Sequence, residues 1–188
     1  MTAKERLLSA AKDLLWDYGY EKTSPKDIQK KADVGQGSFY HHFESKESLA
    51  AQAVREISDD MQNTLSAVFE TDKPPLERVK DYLKQPREAL RGCRIGKLVQ
   101  EVSVPQNSLL PPISEYFARL QQELALLLQC AQQEGVFPLE ADATQLAAAI
   151  SAAVQGGYVL SRALNDPKQM EIATSGILSM IEFMERRL

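Results

Sequence analysis

The stretch "DVGQGSFYHHFESKESL", residues 33–49, contains both histidines of the chain beside two aromatic residues. It opens with a tight turn, Asp33-Val34-Gly35, and we predict a short helix from Gln36 to about Phe43. Before the turn, Ser24 and Pro25 predict the start of another short helix, because serine caps free backbone N–H groups and proline tolerates the first helical position. Two short helices joined by a glycine-containing turn, after one longer helix, are typical of a helix-turn-helix unit.

The second helix of such a unit places its exposed face in the major groove of DNA. Phe39 and Phe43 are four residues apart, so we predict that both anchor the inner face of this helix. Glutamine can pair with an adenine edge, and hydroxyl, imidazole and ammonium groups can reach bases or phosphates. The side chains that offer these groups are Gln36, Ser38, Tyr40, His41, His42 and Lys46.

A metal or catalytic role for the two histidines is the competing interpretation. Neighbouring positions of a helix point about 100° apart, so His41 and His42 cannot both bind one metal ion from a rigid helix. No ligands at metal-binding spacing and no nucleophile accompany them. We therefore expect no metal, no cofactor and no enzymatic activity, and on these residues alone a helical bundle with a polar surface stays open.

Composition indicates an ordinary globular protein, with 44% hydrophobic and 26% charged residues among 188. No apolar run approaches the roughly 20 residues that span a bilayer, and no secretion signal is recognisable. With two cysteines, a reducing, cytoplasmic setting is expected. The net charge of −4 is unevenly distributed: residues 1–46 carry eight Lys/Arg and seven Asp/Glu, and the rest carries 14 and 19.

Helical signals recur along the whole chain, and we predict an all-α fold of about nine helices. Thr2 with Glu5 forms a capping-box pattern, and Gly19 ends the first helix. The N-terminal helix-turn-helix domain is predicted at 1–46, and a C-terminal helical bundle at 47–188. The bundle's predicted helices are 46–69, a helix from Pro75 interrupted near Pro86, a short one around 93–102, and long ones at 113–135, 142–164 and 168–186, with a loop at 104–112.

The stretch "GYEKTSPKDIQKKADVGQGSFYHHFESKESL", residues 19–49, resembles the DNA-binding domain of the TetR family of bacterial transcriptional regulators. The chain length, the nine-helix plan and the acidic C-terminal part agree with that family. The resemblance implies DNA contacts by Thr23, Ser24, Gln36, Gly37, Ser38, Tyr40, His41, His42 and Lys46. The family often has glycine where Asp33 stands, serine where Gly35 stands and lysine where Gln36 stands, so the operator sequence is not inferred from relatives.

The resemblance also implies that the C-terminal domain binds a small-molecule effector and forms a homodimer through the last two helices. An apolar cavity with a few polar tips would suit an effector, and we predict that it is lined by Tyr82, Cys93, Leu98, Glu101, Tyr116, Phe117 and Tyr158. Gly156-Gly157 inside a predicted helix suggests a close helix approach or room for a ligand.

The segment "RGCRIGKLVQEVS", residues 91–103, resembles a segment of a TetR-family subgroup that includes repressors that sense reactive electrophiles and oxidants. In some of those, a cysteine at the place of Cys93 is the reactive sensor. Arg91 and Arg94 would favour its thiolate. Alternatively, Cys93 is a small buried hydrophobic residue, as we predict for Cys130.

The leading hypothesis is a homodimeric repressor that a small molecule releases from a palindromic operator in double-stranded DNA, with no membrane partner. A DNA-binding activator and a redox sensor acting through Cys93 are alternatives. A small all-α enzyme with Cys93 as nucleophile is a more distant alternative. Such an enzyme would need a general base near Cys93, and none is evident because both histidines lie in the N-terminal module.

Overall fold

The fold was determined as a computed structural model, which describes residues 1–186. The predicted all-α class is confirmed, because residues 1–186 form helices, turns and loops and no strand. Eight α-helices are present in this range: α1 (Ala3–Tyr18), α2 (Pro25–Ala32), α3 (Gln36–His42), α4 (Lys46–Phe69), α5 (Pro75–Lys84), α6 (Leu110–Gln133), α7 (Ala143–Ala163) and α8 (Lys168–Glu185).

The chain folds as two compact units that do not follow the order of the sequence. The first unit contains Met1–Met61 and Cys93–Tyr116, and the second contains Gln62–Gly92 and the chain from Phe117 onwards. The first unit therefore includes a segment between α5 and α6 that is remote in sequence from α1–α3. The predicted functional boundary after residue 46 stays a prediction.

The first helices begin where local hydrogen bonds satisfy their free N–H groups. The Thr2 hydroxyl accepts from the backbone N–H of Glu5 at 3.2 Å, and the Glu5 carboxylate accepts from that of Thr2 at 2.8 Å. Ser24 and Asp27 form the same reciprocal capping box at α2. The capping box of Thr2 and Glu5 was predicted, whereas at α2 the sequence predicted the serine cap but not the reciprocal bond to Asp27.

A single apolar core holds the first unit together. The stripe of α1 packs against α2 and α3, and burial of this apolar surface is the main favourable term for such short helices. The large side chains that are fully buried in this unit are Leu7, Leu15, Ile28, Phe39, Leu49, Ile57, Ile95, Leu98 and Leu109.

The prediction of a short helix around residues 93–102 is wrong. This region forms turns and one 3₁₀ segment, Leu98–Gln100, and a second 3₁₀ segment, Val104–Gln106, follows it. Gly92 has a φ of 91°, which ends helical geometry, and Gly96 follows four residues later. The loss of this element accounts for eight α-helices rather than nine.

The predicted loop at 104–112 is also too long, because α6 begins at Leu110. Pro111 and Pro112 lie in the first turn of α6. An N–H group in that turn has no partner within the helix, so proline costs little there.

Two contacts fix the helices of the second unit. Lys80 on α5 is buried and its ammonium contacts the carboxylates of Glu77 at 2.7 Å and Glu185 at 2.8 Å, which joins α5 to α8. Helices α7 and α8 pack along each other, and Gly157 lies at their contact. A Cβ atom added at Gly157 would lie 2.8 Å from Met170 Sδ and 3.3 Å from its Cα.

We predict opposite effects for alanine at the two neighbouring glycines of α7. Gly156→Ala should raise the free energy of unfolding by about 1 kcal/mol, since alanine favours helix and nothing lies within 4 Å of the added methyl group. Gly157→Ala should lower it by up to about 2 kcal/mol, because overpacking outweighs that gain. Urea denaturation at a matched oligomeric state measures both, and equal effects would contradict the close approach of α7 and α8.

Candidate DNA-binding site

The turn between α2 and α3 sets the direction in which α3 begins. Asp33 adopts a left-handed conformation with φ 53°, which aspartate tolerates better than most residues. The N–H of Val34 donates to the carbonyl of Gln29 at 3.0 Å, closing α2. Gly35 then begins α3 in extended geometry without a side-chain cap. The predicted Asp33-Val34-Gly35 turn is thus confirmed, and its left-handed residue is the aspartate.

Two phenylalanines fix which face of α3 points inward. Phe39 is fully buried, Phe43 is buried, and their ring centroids are 6.4 Å apart. The predicted anchoring by this pair is confirmed. The other residues of α3 are polar and accessible: Gln36, Gly37, Tyr40 and His41 are exposed, and Ser38 and His42 are half-buried.

The exposed face of α3 is open around its glycine. A Cβ atom added at Gly37 would meet nothing within 4 Å, and its φ lies outside the left-handed region. The fold of the free chain therefore does not require glycine at this position. Close approach of an external surface would explain it, as the sequence predicts for a DNA backbone.

The predicted phosphate contacts at the start of α2 have internal partners in the free chain. The Thr23 side chain is only 3% exposed, and its hydroxyl donates to the Gly19 carbonyl at 2.6 Å. The Ser24 hydroxyl is engaged in its capping box with Asp27. These two residues fix the geometry of the α2 start, and their direct contact with DNA stays a prediction.

Lys46 begins α4 and is held against the turn that follows α1. Its ammonium donates to the Tyr20 carbonyl at 3.1 Å and lies 4.0 Å from the centroid of the Tyr20 ring. Burial raises the pKa of Tyr20, and the charges of Glu47 and Glu101 raise it further. The ammonium is therefore placed by both the backbone and the ring of one residue.

Sequence reasoning missed a set of carboxylates that join remote parts of the first unit. The Glu101 carboxylate accepts from the backbone N–H groups of Tyr20 at 2.9 Å and Glu21 at 2.6 Å. Glu21 in return accepts from the N–H of Ser103 at 2.9 Å, which lowers the pKa of the Glu21 carboxyl. These partners are about 80 positions apart, so no local pattern identifies them.

A second contact of the same type lies at the start of α4. The Glu47 carboxylate accepts from the N–H of Ser108 at 3.0 Å and from its hydroxyl at 2.8 Å. The backbone donor at Ser108 lowers the pKa of Glu47. Further along α4, Arg55 forms an ion pair with Glu115 of α6.

The seven residues predicted to line an effector cavity are divided between the two units. Cys93, Leu98, Glu101 and Tyr116 belong to the first unit, whereas Tyr82, Phe117 and Tyr158 belong to the second. Glu101 is committed to backbone donors, and Leu98 is fully buried. Their role as one cavity stays a prediction.

The second unit contains a cleft that the sequence did not suggest. Its volume is about 350 Å³, and it lies between the end of α5, the following loop and the first half of α8. Its lining is Leu83, Lys84, Gln85, Pro86, Arg87, Ala89, Pro167, Met170, Glu171, Thr174, Ser175 and Leu178, none of which is among the seven predicted residues. The Arg87 guanidinium donates to the carbonyls of Tyr82, Leu83 and Gln85, so it mainly closes the end of α5.

The two cysteines differ in exposure. Cys93 is 5% exposed, and its sulfur accepts from the N–H of Gly96 at 3.2 Å. Arg94 was expected to favour the thiolate, but its guanidinium carbon lies over the Trp16 ring, 5.4 Å from the ring centroid. Cys130 is exposed on α6, so the prediction that it belongs to the core is wrong: at about 100° per residue, it lies next to the buried stripe rather than within it.

Among residues 1–186, no helix combines the length and the apolar character needed to cross a bilayer.

Comparison with known proteins covers both units. Residues 7–53 match the family described as "Bacterial regulatory proteins, tetR family", and residues 75–177 match "Tetracyclin repressor-like, C-terminal domain". The HTH-type transcriptional repressor DhaR of Mycobacterium sp. (strain GP1) is 35% identical over 103 residues, which are 53% of this chain and 52% of DhaR. That match thus spans about half the length of DhaR.

Longer matches extend over most of both partners. An HTH-type transcriptional regulator of Lactococcus lactis is 29% identical over 89% of this chain and 87% of its own length. The crystal structure of a regulatory protein TetR from Rhodobacter sphaeroides superimposes with a TM-score of 0.82 at 24% identity, covering 93% of this chain and 96% of that one. A TetR-family regulator from Cytophaga hutchinsonii gives a TM-score of 0.85 at 19% identity, with coverages of 97% and 94%.

The helix-turn-helix geometry and the family matches in both units agree, and this chain belongs to the TetR family of bacterial transcriptional regulators.

Proposed function

We propose that this protein is a homodimeric repressor that binds a palindromic operator and leaves it when a small molecule binds. The observation that carries the proposal is the exposed polar face of α3, which offers Gln36, Tyr40 and His41 on a helix anchored by a buried Phe39. Groups of these types read base edges and hold phosphates. Such a regulator would act on chromosomal DNA in the bacterial cytoplasm.

Dimerisation would give enough sequence specificity to the exposed residues of α3, Gln36, Tyr40 and His41, which we call the reading surface. Helix α3 has seven residues, so one copy contacts only a few base pairs. Two copies related by a two-fold axis would read two half-sites about 34–36 Å apart, and the palindrome would mirror the symmetry of the dimer.

The surface for the second copy is proposed on α7 and α8. Ile172, Gly176, Met180 and Phe183 are exposed at spacings of four, four and three on α8, which places them on one stripe. Val159 and Leu160 on α7 and Leu164, which caps the end of α7, are also exposed. Contiguous apolar surface on two packed helices is typical of an interface that another copy covers.

The effector is proposed to be a small, mainly apolar molecule. Tyr82, Phe117 and Tyr158 are the predicted lining residues that lie in the second unit, and their aromatic rings would suit an apolar ligand. The cleft beside α8 has a volume of about 350 Å³, which lies in the range of sites for small molecules. Both locations belong to the second unit, whereas α3 belongs to the first.

A sensor role for Cys93 is the second candidate. The observation in its favour is the N–H of Gly96, which donates to the Cys93 sulfur and would stabilise a thiolate. An electrophile that forms a bond to this buried sulfur would need room within the 93–116 segment, and that segment contacts the turn after α1 through Glu101 and Ser103.

Substitutions of Tyr40 on α3 and of Lys46 at the start of α4 should separate base contacts from phosphate contacts. Tyr40→Ala should weaken binding to upstream DNA of its own gene about tenfold, because a good contact contributes about 1–3 kcal/mol. Lys46→Ala should weaken binding to all sequences and reduce the salt slope by about one. Gel-shift titrations at several salt concentrations measure both. Tyr18→Ala is the control, since Tyr18 is an exposed tyrosine on α1, and equal losses in Tyr18 and Tyr40 variants would contradict the proposed surface.

Charged substitutions on α8 should dissociate the dimer. Met180 is 62% exposed and Phe183 is 51% exposed, so Met180→Glu with Phe183→Glu should leave each monomer folded. In the dimer each carboxylate would appear twice at a two-fold interface, where juxtaposed like charges cost several kcal/mol. Sedimentation velocity should show monomers. Leu139→Glu, at a position that is 77% exposed outside α7 and α8, should remain dimeric, and a dimeric double variant would place the interface elsewhere.

The sensor role of Cys93 predicts a selective loss. Cys93→Ser should bind operator DNA normally and no longer be released by an electrophile such as a maleimide. Cys130→Ser should be released like the wild type, although Cys130 is the exposed cysteine. Unchanged release of Cys93→Ser would leave Cys93 with a structural role only.

A further inference from the structure

The turn after α1 is shaped by a carboxylate from a remote part of the chain. Gly19 has a φ of 89°, and a Cβ atom there would lie 2.3 Å from Glu101 Oε1. The same carboxylate accepts from the N–H groups of Tyr20 and Glu21. Two adjacent N–H groups that point at one carboxylate define the direction of the backbone at this turn, since such charge-assisted hydrogen bonds are short and directional.

The backbone fixed by Glu101 in turn holds two groups at the predicted DNA surface. The Tyr20 carbonyl accepts from the Lys46 ammonium at 3.1 Å and from the N–H of Thr23 at 3.2 Å. The Gly19 carbonyl accepts from the Thr23 hydroxyl. The turn Gly19–Glu21 therefore lies between Glu101 on one side and both Lys46 and the start of α2 on the other.

Carboxylates bond to backbone N–H groups in both directions between residues 101–108 and the N-terminal part of the chain, so Glu101 does not form an isolated surface contact. Glu21 accepts from the N–H of Ser103, and Glu47, next to Lys46, accepts from Ser108. Three carboxylates thus tie residues 101–108 to the turn after α1 and to the start of α4. Residues 101–108 belong to the same compact unit as α1–α3.

We propose that Glu101 is a positioning residue for DNA binding: it holds the turn Gly19–Glu21 so that Lys46 and the start of α2 meet the phosphates together. This inference rests on the proposed DNA-binding function and assigns Glu101 to the DNA-binding unit rather than to effector contact. A shift of residues 101–108 would then lower affinity for DNA without any change in the side chains of α3.

The opposite effect is expected if Glu101 acts only through its charge. A carboxylate near the binding surface repels phosphates, so its removal would raise affinity. Glu44→Ala provides the matched control, because Glu44 is an exposed carboxylate between α3 and α4. It measures the effect of losing one negative charge without disturbing the Gly19–Glu21 turn.

The test is a double-mutant cycle on the full-length protein with duplex DNA from its upstream region. Glu101→Ala should weaken binding roughly tenfold, within the range of couplings between neighbouring residues, and reduce the salt slope by about one. Lys46→Ala should then weaken DNA binding clearly less in the Glu101→Ala background than in the wild type.

Two further variants test the carboxylate itself. Glu101→Gln, which keeps one acceptor oxygen, should bind with intermediate affinity. Gly19→Ala should reproduce the loss, because its methyl group displaces the carboxylate.

Different outcomes separate the inference from the function on which it rests. Wild-type protein that binds no DNA would overturn the proposed function. Normal binding by wild type with equal binding by Glu101→Ala would overturn the positioning role alone, as would a Lys46→Ala loss that is the same in both backgrounds. Higher affinity in both Glu101→Ala and Glu44→Ala would show a charge effect in place of positioning. Thermal unfolding of each variant identifies any that fails to fold, and Glu101→Gln then serves in its place.

Discussion

The burial of Phe39 is the constraint on which the reading surface depends. A helix of seven residues has too few internal hydrogen bonds to persist alone in water. Helix α3 therefore depends on its packing with α1 and α2, in which Phe39 is fully buried and Phe43 is buried one turn later. Once that side chain is fixed, the 100° spacing of a helix directs Tyr40 and His41 outward, and Gln36 is exposed at the first position of α3. The same packing that stabilises the helix thus selects the residues available to DNA.

Interactions within a few residues made much of the fold predictable. The capping boxes at Thr2 and Ser24, the Phe39–Phe43 pair and the apolar stripes all lie within one or two helical turns. The family resemblance covers this part of the chain, and the family matches extend it to the second unit. Prediction failed where a shift of one residue mattered, as at Cys130, which lies just beside the buried face of α6.

The remaining errors have a common physical origin in the segment between α5 and α6. Apolar residues at helical spacing suggested a short helix there, but Gly92 and Gly96 favour turns. The segment then packs with α1–α4 through carboxylates that accept from backbone N–H groups. Backbone donors leave no trace in the sequence, and acidic residues on a helical protein usually indicate only a solvated surface. Glu101 was accordingly predicted to face an effector, whereas its carboxylate faces the turn after α1.

The charge of the reading surface explains why the placement of Lys46 should matter so much. Helix α3 contains no lysine or arginine. Attraction to phosphates must then come from cations outside α3, among which Lys46 is held against Tyr20 by a hydrogen bond and by the face of the ring. A cation that is already ordered loses less conformational entropy when it meets a phosphate. With no cation on α3, the fixed position of one ammonium would contribute more than on a lysine-rich surface, which is the physical reason for the proposed role of Glu101 in DNA binding.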